Sequence, residues 1–541
     1  MRSTSVLAAA TLTLVIASAP AFAQGTTALT GTVSSAAEGA MEGVVVSAKK
    51  GIVTVSVVSD AKGAFSFPAS KLSAGDYALT IRAAGYVLEG PKTVTIAAEK
   101  PAQIDVKLGK TKNLAAQLTN LEWMLSVPGS DEQKRALTGC TNCHSVERIL
   151  NSSYNAEEFL AVIKRMATYS NNSLSRKPQV RAEVRDLNAF VPNAEKVAAY
   201  FASINLSEGP RTWEPKTLPR VSGAGTKVII TEYDLPDQMI QPHDVMVDAD
   251  GIVWHSDFSG QILGRFDTKT LKHKSFEIPM QRAGWPTGAL DLEADPQGNL
   301  WLGLMFQHGA AKFDRKTEKF EMIRLPENMI KPDSQQAMVG PQNWTVDNKL
   351  WLQDPARRGL YRVDLKSGQT ELFEPFANTR GSPYSIFSDK ENNIWFLDFG
   401  GENIGKIEAK SGKLTLYPTP TKRSRPRRGR IDEGRIWFAE FAGERIGMFD
   451  TKTERFREWE VPGKFYAPYD AALDKNGNLW TGGMNADRIL RLNIESGKFT
   501  EYPLPHYTNV RRVFVDNHTT PPTFWVGNNH GAALIKMEPQ E

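Results

Sequence analysis

The only two cysteines of the 541 residues stand on one short run with a histidine directly behind them, Cys140-Thr141-Asn142-Cys143-His144. Two thiols on a single turn, followed by an imidazole, are what covalent attachment of a c-type haem requires. The thiols form thioethers at the porphyrin edge, and His144 reaches the iron as proximal ligand. A bare Cys-x-x-Cys could instead be a redox dithiol; the adjacent histidine and the surrounding helical pattern favour haem. Methionine is a common second axial ligand. Met166, in Val162-Ile163-Lys164-Arg165-Met166-Ala167, is the expected one, with Met124 the weaker choice and a five-coordinate iron also open. Two cysteines cannot form a disulfide framework, so cores must stabilise the remainder.

Further candidate groups lie in the second half of the chain. His243 could serve as a general base near neutral pH. Asp257, Asp354, Asp398 and Glu440 each fall three residues after a recurring tryptophan. If those positions face a common channel, the four acids would make a ring able to hold a divalent cation, Mg or Ca; alternatively they bond backbone amides between repeats. Residues at the position equivalent to His243 in other repeats, Tyr384, Arg427, Tyr469 and approximately His506, are candidate substrate contacts. The run Lys422-Arg423-Ser424-Arg425-Pro426-Arg427-Arg428-Gly429-Arg430 reads either as a solvated loop or as an anion grip.

The elements that position these groups fall into distinct stretches. Residues 1–23 combine Arg2, the apolar run Leu7–Ala19 and Ala21-Phe22-Ala23, and read as a secretory signal peptide. No later stretch has the roughly 20 apolar residues of a spanning helix, so the mature chain is expected to be soluble and periplasmic. Residues 24–110 alternate apolar and polar between glycine turns, as a small β-sandwich does. Residues 111–207 switch to helical spacing over Leu114–Leu125, Asp131–Thr138, Ala156–Tyr169 and Ala194–Ile204. Residues 208–226 read as a linker. From 227 to 541 a tryptophan recurs at Trp254, Trp301, Trp351, Trp395, Trp437, Trp480 and Trp525, each within a multi-strand unit. A period of about 40–50 residues means a β-propeller, here with seven blades. Val228–Tyr233 is expected to pair with the last unit and close the ring. The fold class is thus multidomain and mainly β: a β-sandwich, a short all-α haem domain and a seven-bladed propeller.

Three resemblances sharpen this reading. Gly31-Thr32-Val33, Gly43-Val44-Val45-Val46, Asp60-x-x-Gly63-x-Phe65, Gly75-x-Tyr77 and Gly85-Tyr86 resemble the carboxypeptidase regulatory-like domain, which implies an accessory or binding module. The helical stretch around Cys140 resembles a short cytochrome c domain. The repeats, as in Gly434-Arg435-Ile436-Trp437-Phe438-Ala439-Glu440, resemble the streptogramin B (virginiamycin B) lyase propeller. That resemblance implies a histidine base and magnesium-binding acids. The nearest match to the lyase pattern is Gln241-Pro242-His243 followed by Asp257, where Gln replaces a charged ligand. A net charge of +4 gives no general case for nucleic-acid binding. The expectation is a periplasmic c-type cytochrome that passes electrons to a redox partner or dehydrogenase, with a small molecule in the propeller channel. The alternative is a lyase-like or binding propeller in which the haem is accessory; whether the chain is an enzyme stays open.

Overall fold

In most repeats an aspartate and the tryptophan six residues after it act as one unit. Asp248 Oδ1 accepts the amides of Asp250 and Ile252, which closes the turn, while Oδ2 accepts Trp254 Nε1 at 2.8 Å. Asp295 with Trp301, Asp389 with Trp395 and Asp474 with Trp480 repeat the bond. Each turn therefore fixes the tryptophan that packs the next sheet: Trp254 lies against Phe276 of its own sheet and Phe313 of the following one. Burying such a side chain contributes about 1.5–3 kcal/mol. Repetition of this unit sets the architecture.

The structure, a computed structural model, describes residues 27–98 and 100–540; the expected signal peptide lies outside them. The described chain is mainly β. Six four-stranded antiparallel sheets follow one another from Pro242 to Pro503, the first being Pro242–Val247, Ile252–Asp257, Ile262–Asp267 and Lys272–Glu277. A further group, Val513–Asp516, Thr523–Asn528 and Ala533–Pro539, takes its fourth strand from the start of the repeats. Val228–Asp234 runs antiparallel to it, Val228 opposite Pro539 through Asp234 opposite Ala533. The last group also abuts the first sheet, since a Cβ at Gly527 would lie 2.0 Å from the Pro242 carbonyl oxygen. The arrangement is propeller-like, and the expected pairing of the first and last strands is present.

Residues from Thr27 to Lys110 form the β-sandwich, with Leu29, Val33, Val46 and Phe67 fully buried. It is not an independent bead. Val53–Val58 pairs with the other edge of Val228–Asp234, so one eight-stranded sheet runs from the last repeat into the sandwich. Arg82 reinforces the junction by donating to the Leu504 and His506 carbonyls and to Asp487.

Six α-helices occur among the described residues, none longer than 11. Asn120–Ser126, Asp131–Cys140 and Ala156–Met166 each begin with a reciprocal capping box, Thr119 with Glu122, Ser130 with Gln133 and Asn155 with Glu158. They do not make the expected self-contained all-α domain. Leu121, Trp123, Leu137, Phe159 and Phe201 share one core with Trp437, Tyr466 and Leu490 of the repeats. Short helices with narrow apolar faces cannot close a core alone; these complete theirs against the repeats.

Candidate functional site

The helical segment lies across the end of the propeller-like body at which the loops enter the innermost strands. Asn172 Nδ2 donates to the Thr287 carbonyl, and Gln241 Nε2 to that of Asn172. Gln179 bonds Thr287 and Ser259, and Arg511 Nη2 donates to the Asn142 carbonyl at 3.0 Å. Cys143 and His144 are thereby set over the innermost strands.

Beneath them runs a hydrogen-bonded chain. His243 is fully buried, and desolvation pushes its imidazole down to about 3, so it is neutral at physiological pH. Asp244 is buried too; burial opposes ionisation, but Arg428 and Arg512 hold its carboxyl well below the usual carboxylate range. The carboxylate therefore takes the proton of His243 Nδ1, at 2.7 Å. The other ring nitrogen, Nε2, is left as an acceptor for the Tyr469 hydroxyl at 3.2 Å. Tyr384 then donates to Tyr469 at 2.7 Å. Burial acts to raise the Tyr469 phenol, but Arg427, Arg511 and Arg428 outweigh it and the net shift is downward. Asp244, His243, Tyr469 and Tyr384 thus form a buried hydrogen-bonded chain whose polarity is set by fixed charges.

An ionic hub anchors this chain. Arg428 spans Asp244 (3.0 and 3.1 Å) and Asp291 (2.5 Å). Arg512 adds Asp244 at 2.8 Å and Glu293, and Arg430 holds Asp470. These residues come from five repeats and tie them together. Sequence reasoning missed the hub. Part of its signal was present: His243, Arg427 and Tyr469 are followed by Asp244, Arg428 and Asp470, charged residues at one repeat position, whereas Ser385 follows Tyr384.

A cavity of about 680 Å³ separates the helical segment from the repeats, walled by Cys140, Cys143, His144 and Met166 on one side and Arg427 and Phe441 on the other. Both thiols are free, and burial raises both, Cys140 to about 12. His144 Nδ1 bonds the Ser145 carbonyl at 2.9 Å, which leaves Nε2 as the available lone pair. Met124, by contrast, is a core residue whose sulfur accepts from Thr138.

Other expected groups are held elsewhere. Asp257 accepts the Gln241 and Ser259 amides, Asp354 bonds Ser334 and Tyr361, and Asp398 accepts the Ser382 amide and Asn403. Burial raises all three. Glu440 is pushed up to about 9 by burial and then by Glu458. The three aspartates secure loops of their own repeats, both Glu440 oxygens are buried without a hydrogen-bond partner among the described residues, and the four do not gather into the expected cation ring. His506 is not at the channel either: it bonds Glu232 at 2.6 Å on the outer side, because the loop after Pro503 is longer and Arg511 takes the equivalent place. The basic run is divided. Exposed Lys422 pairs with half-buried Glu402, whereas Arg427 and Arg428 are buried.

The expectation of an electron-transferring c-type cytochrome is overturned. Among the described residues no group of three or more His, Cys, Asp or Glu side chains is placed to hold a metal ion. The helices that carry the motif form no haem-binding domain of their own but a cover on a mainly β body.

Comparison with known proteins agrees with this architecture. Residues 28–109 match the carboxypeptidase regulatory-like domain family. No curated protein matches the chain. Among solved structures, a streptogramin B lyase is similar at 21% identity and a TM-score of 0.51, over 59% of this chain and 100% of the lyase. Virginiamycin B lyase from Staphylococcus aureus gives 21% and 0.49, over 57% and 99%. The first likeness supports the propeller-like fold and leaves the chemistry open. No described helix is long and apolar enough to cross a membrane.

Proposed function

We propose that the chain is an exported binding protein built on a closed seven-bladed propeller, and that its ligand site is the cavity between the helical cover and the channel mouth. The observation that carries this reading is the cavity itself: about 680 Å³, with Phe159, Ile163 and Phe201 beside arginines on its helical wall and Arg427 and Phe441 on the other. A concave, mostly apolar space with a few convergent polar groups is where small molecules bind. Covalent haem c is proposed as an accessory group. The two free thiols, the Nε2 of His144 and the thioether of Met166 on the same wall fit it, and a bound haem would supply an iron centre there. Export is inferred from the leader alone; a divalent cation in the channel has no support from the acids described above.

The test is a fluorescence titration of the full chain with the probe 1-anilinonaphthalene-8-sulfonate. The wild type should bind it saturably, and Ala442→Trp or Val162→Trp, which fill the cavity from opposite walls, should abolish binding without changing the circular dichroism. Binding unaffected by both substitutions refutes the reading.

Lyase-type chemistry is the second reading, favoured by the His243–Asp244 pair and its link to Tyr469. Incubation with a streptogramin B and mass spectrometry for the linear product tests it. No ring opening by the wild type excludes it.

A further inference from the structure

Arg427 presents a chemical imbalance. The residue is only 6% exposed, yet among the described residues its guanidinium has neither a hydrogen bond nor an ion pair, and its Nε is buried without a partner. What surrounds it is aromatic: the Tyr469 ring lies at 3.9 Å, Phe441 at 4.4 Å, Phe399 at 4.7 Å and Tyr384 at 5.3 Å. Cation–π contacts of this kind contribute about 0.5–2 kcal/mol each. They do not replace the hydrogen bond that the buried Nε–H loses on leaving water. Neighbouring Arg428 shows the contrast, being equally buried but spanning two carboxylates.

The cavity repeats the imbalance on a larger scale. Six arginines line it, Arg135, Arg148, Arg165, Arg185, Arg425 and Arg427, against one acid, Glu444. Glu444 is pushed up to about 7 by burial, so it supplies little compensating charge. Arg185 and Arg425 use one group each on backbone carbonyls, of Tyr169 and Phe399. Phe159, Phe201 and Phe441 supply an aromatic part of the wall.

Resting on the cavity reading above, we infer that the site recognises an amphipathic carboxylate, with Arg427 as the binding residue for the anionic head and the aromatic wall for the apolar body. A carboxylate matches the planar fork of a guanidinium, and a desolvated pair gains more than an exposed one. Two sources carry this chemistry, a free aromatic or alicyclic acid and the propionates of a porphyrin attached at Cys140 and Cys143.

The full chain, purified both from cells that attach c-type haem and from cells that do not, is titrated calorimetrically with 2-naphthoate and with its neutral analogue 2-naphthamide. Naphthoate should bind at least about tenfold more tightly than the amide, the size of one charge-assisted contact. Arg427→Met should remove that preference and leave amide binding intact. A preference in both preparations assigns the carboxylate to a free ligand; a preference confined to haem-free chain assigns it to the propionates. Equal binding of acid and amide by the wild type overturns the carboxylate inference alone and needs no variant to fold. A preference retained in Arg427→Met also overturns it. Binding of neither compound in either preparation overturns the cavity reading together with this one.

Discussion

Asp244→Ala is the sharpest probe of how the site is held. The carboxylate accepts from Arg428 at 3.0 and 3.1 Å, from Arg512 at 2.8 Å, from the Leu292 amide at 3.1 Å and from His243 at 2.7 Å. Its side chain is 0% exposed, and those of Arg428 and Arg512 are 4% and 7% exposed. Removal leaves Arg512 with Glu293 and leaves Arg428 only Asp291, whose carboxyl burial already pushes up to about 7. Breaking a buried ion pair on one side costs about 3–5 kcal/mol. For a cooperative unit the size of the repeat body this lowers the melting temperature by about 5–8 °C. Lys274–Glu318 is the internal control: its side chains are 51% and 47% exposed, and Glu318→Ala should change stability by less than about 1 kcal/mol. Thermal melts followed by tryptophan fluorescence read both. A loss in Asp244→Ala no larger than in Glu318→Ala would show that the hub does not hold the repeats together.

Two further outcomes follow from the same structure. Ile230 is fully buried on the strand shared by the sandwich and the last repeat. Ile230→Ala should cost about 2–5 kcal/mol and make the sandwich and the repeats more sensitive to limited proteolysis together; sensitivity of the sandwich alone contradicts the shared sheet. His506 is raised by its hydrogen bond to Glu232, against the opposing effect of burial. A raised histidine contributes stability that is complete below its unfolded value, about 6.5, and is lost as pH rises through its folded one. Melting temperature should therefore fall more between about pH 6 and 8 in the wild type than in His506→Gln, by a small amount since the imidazole is half exposed; parallel pH profiles refute the pairing.

The repeats were legible because each turn aspartate and its tryptophan are local, six residues apart, and period alone located the seven sheets. Apolar spacing placed the helix starts at Asp131, Ala156 and Ala194, whereas the first helix begins at Asn120, not Leu114. The all-α domain was misjudged because spacing reports which face of a helix is apolar and not what covers it; here the cover is Tyr466 and Leu490, more than 250 residues away in the chain. Asp257, Asp354 and Asp398 accept loop amides, a choice made by tertiary geometry. The hub depends on five distant repeats, so only a comparison of repeat positions could have drawn Asp244, Arg428 and Arg512 together. Arg427 was legible as a channel residue, but its missing partner became apparent only from its surroundings.

The most direct measurement is an experimental structure of the full chain with 2-naphthoate bound. The account predicts the ring system against Phe399 and Phe441 and the carboxylate on the Arg427 guanidinium. Ligand density outside the cavity, or a carboxylate turned away from Arg427, would contradict it.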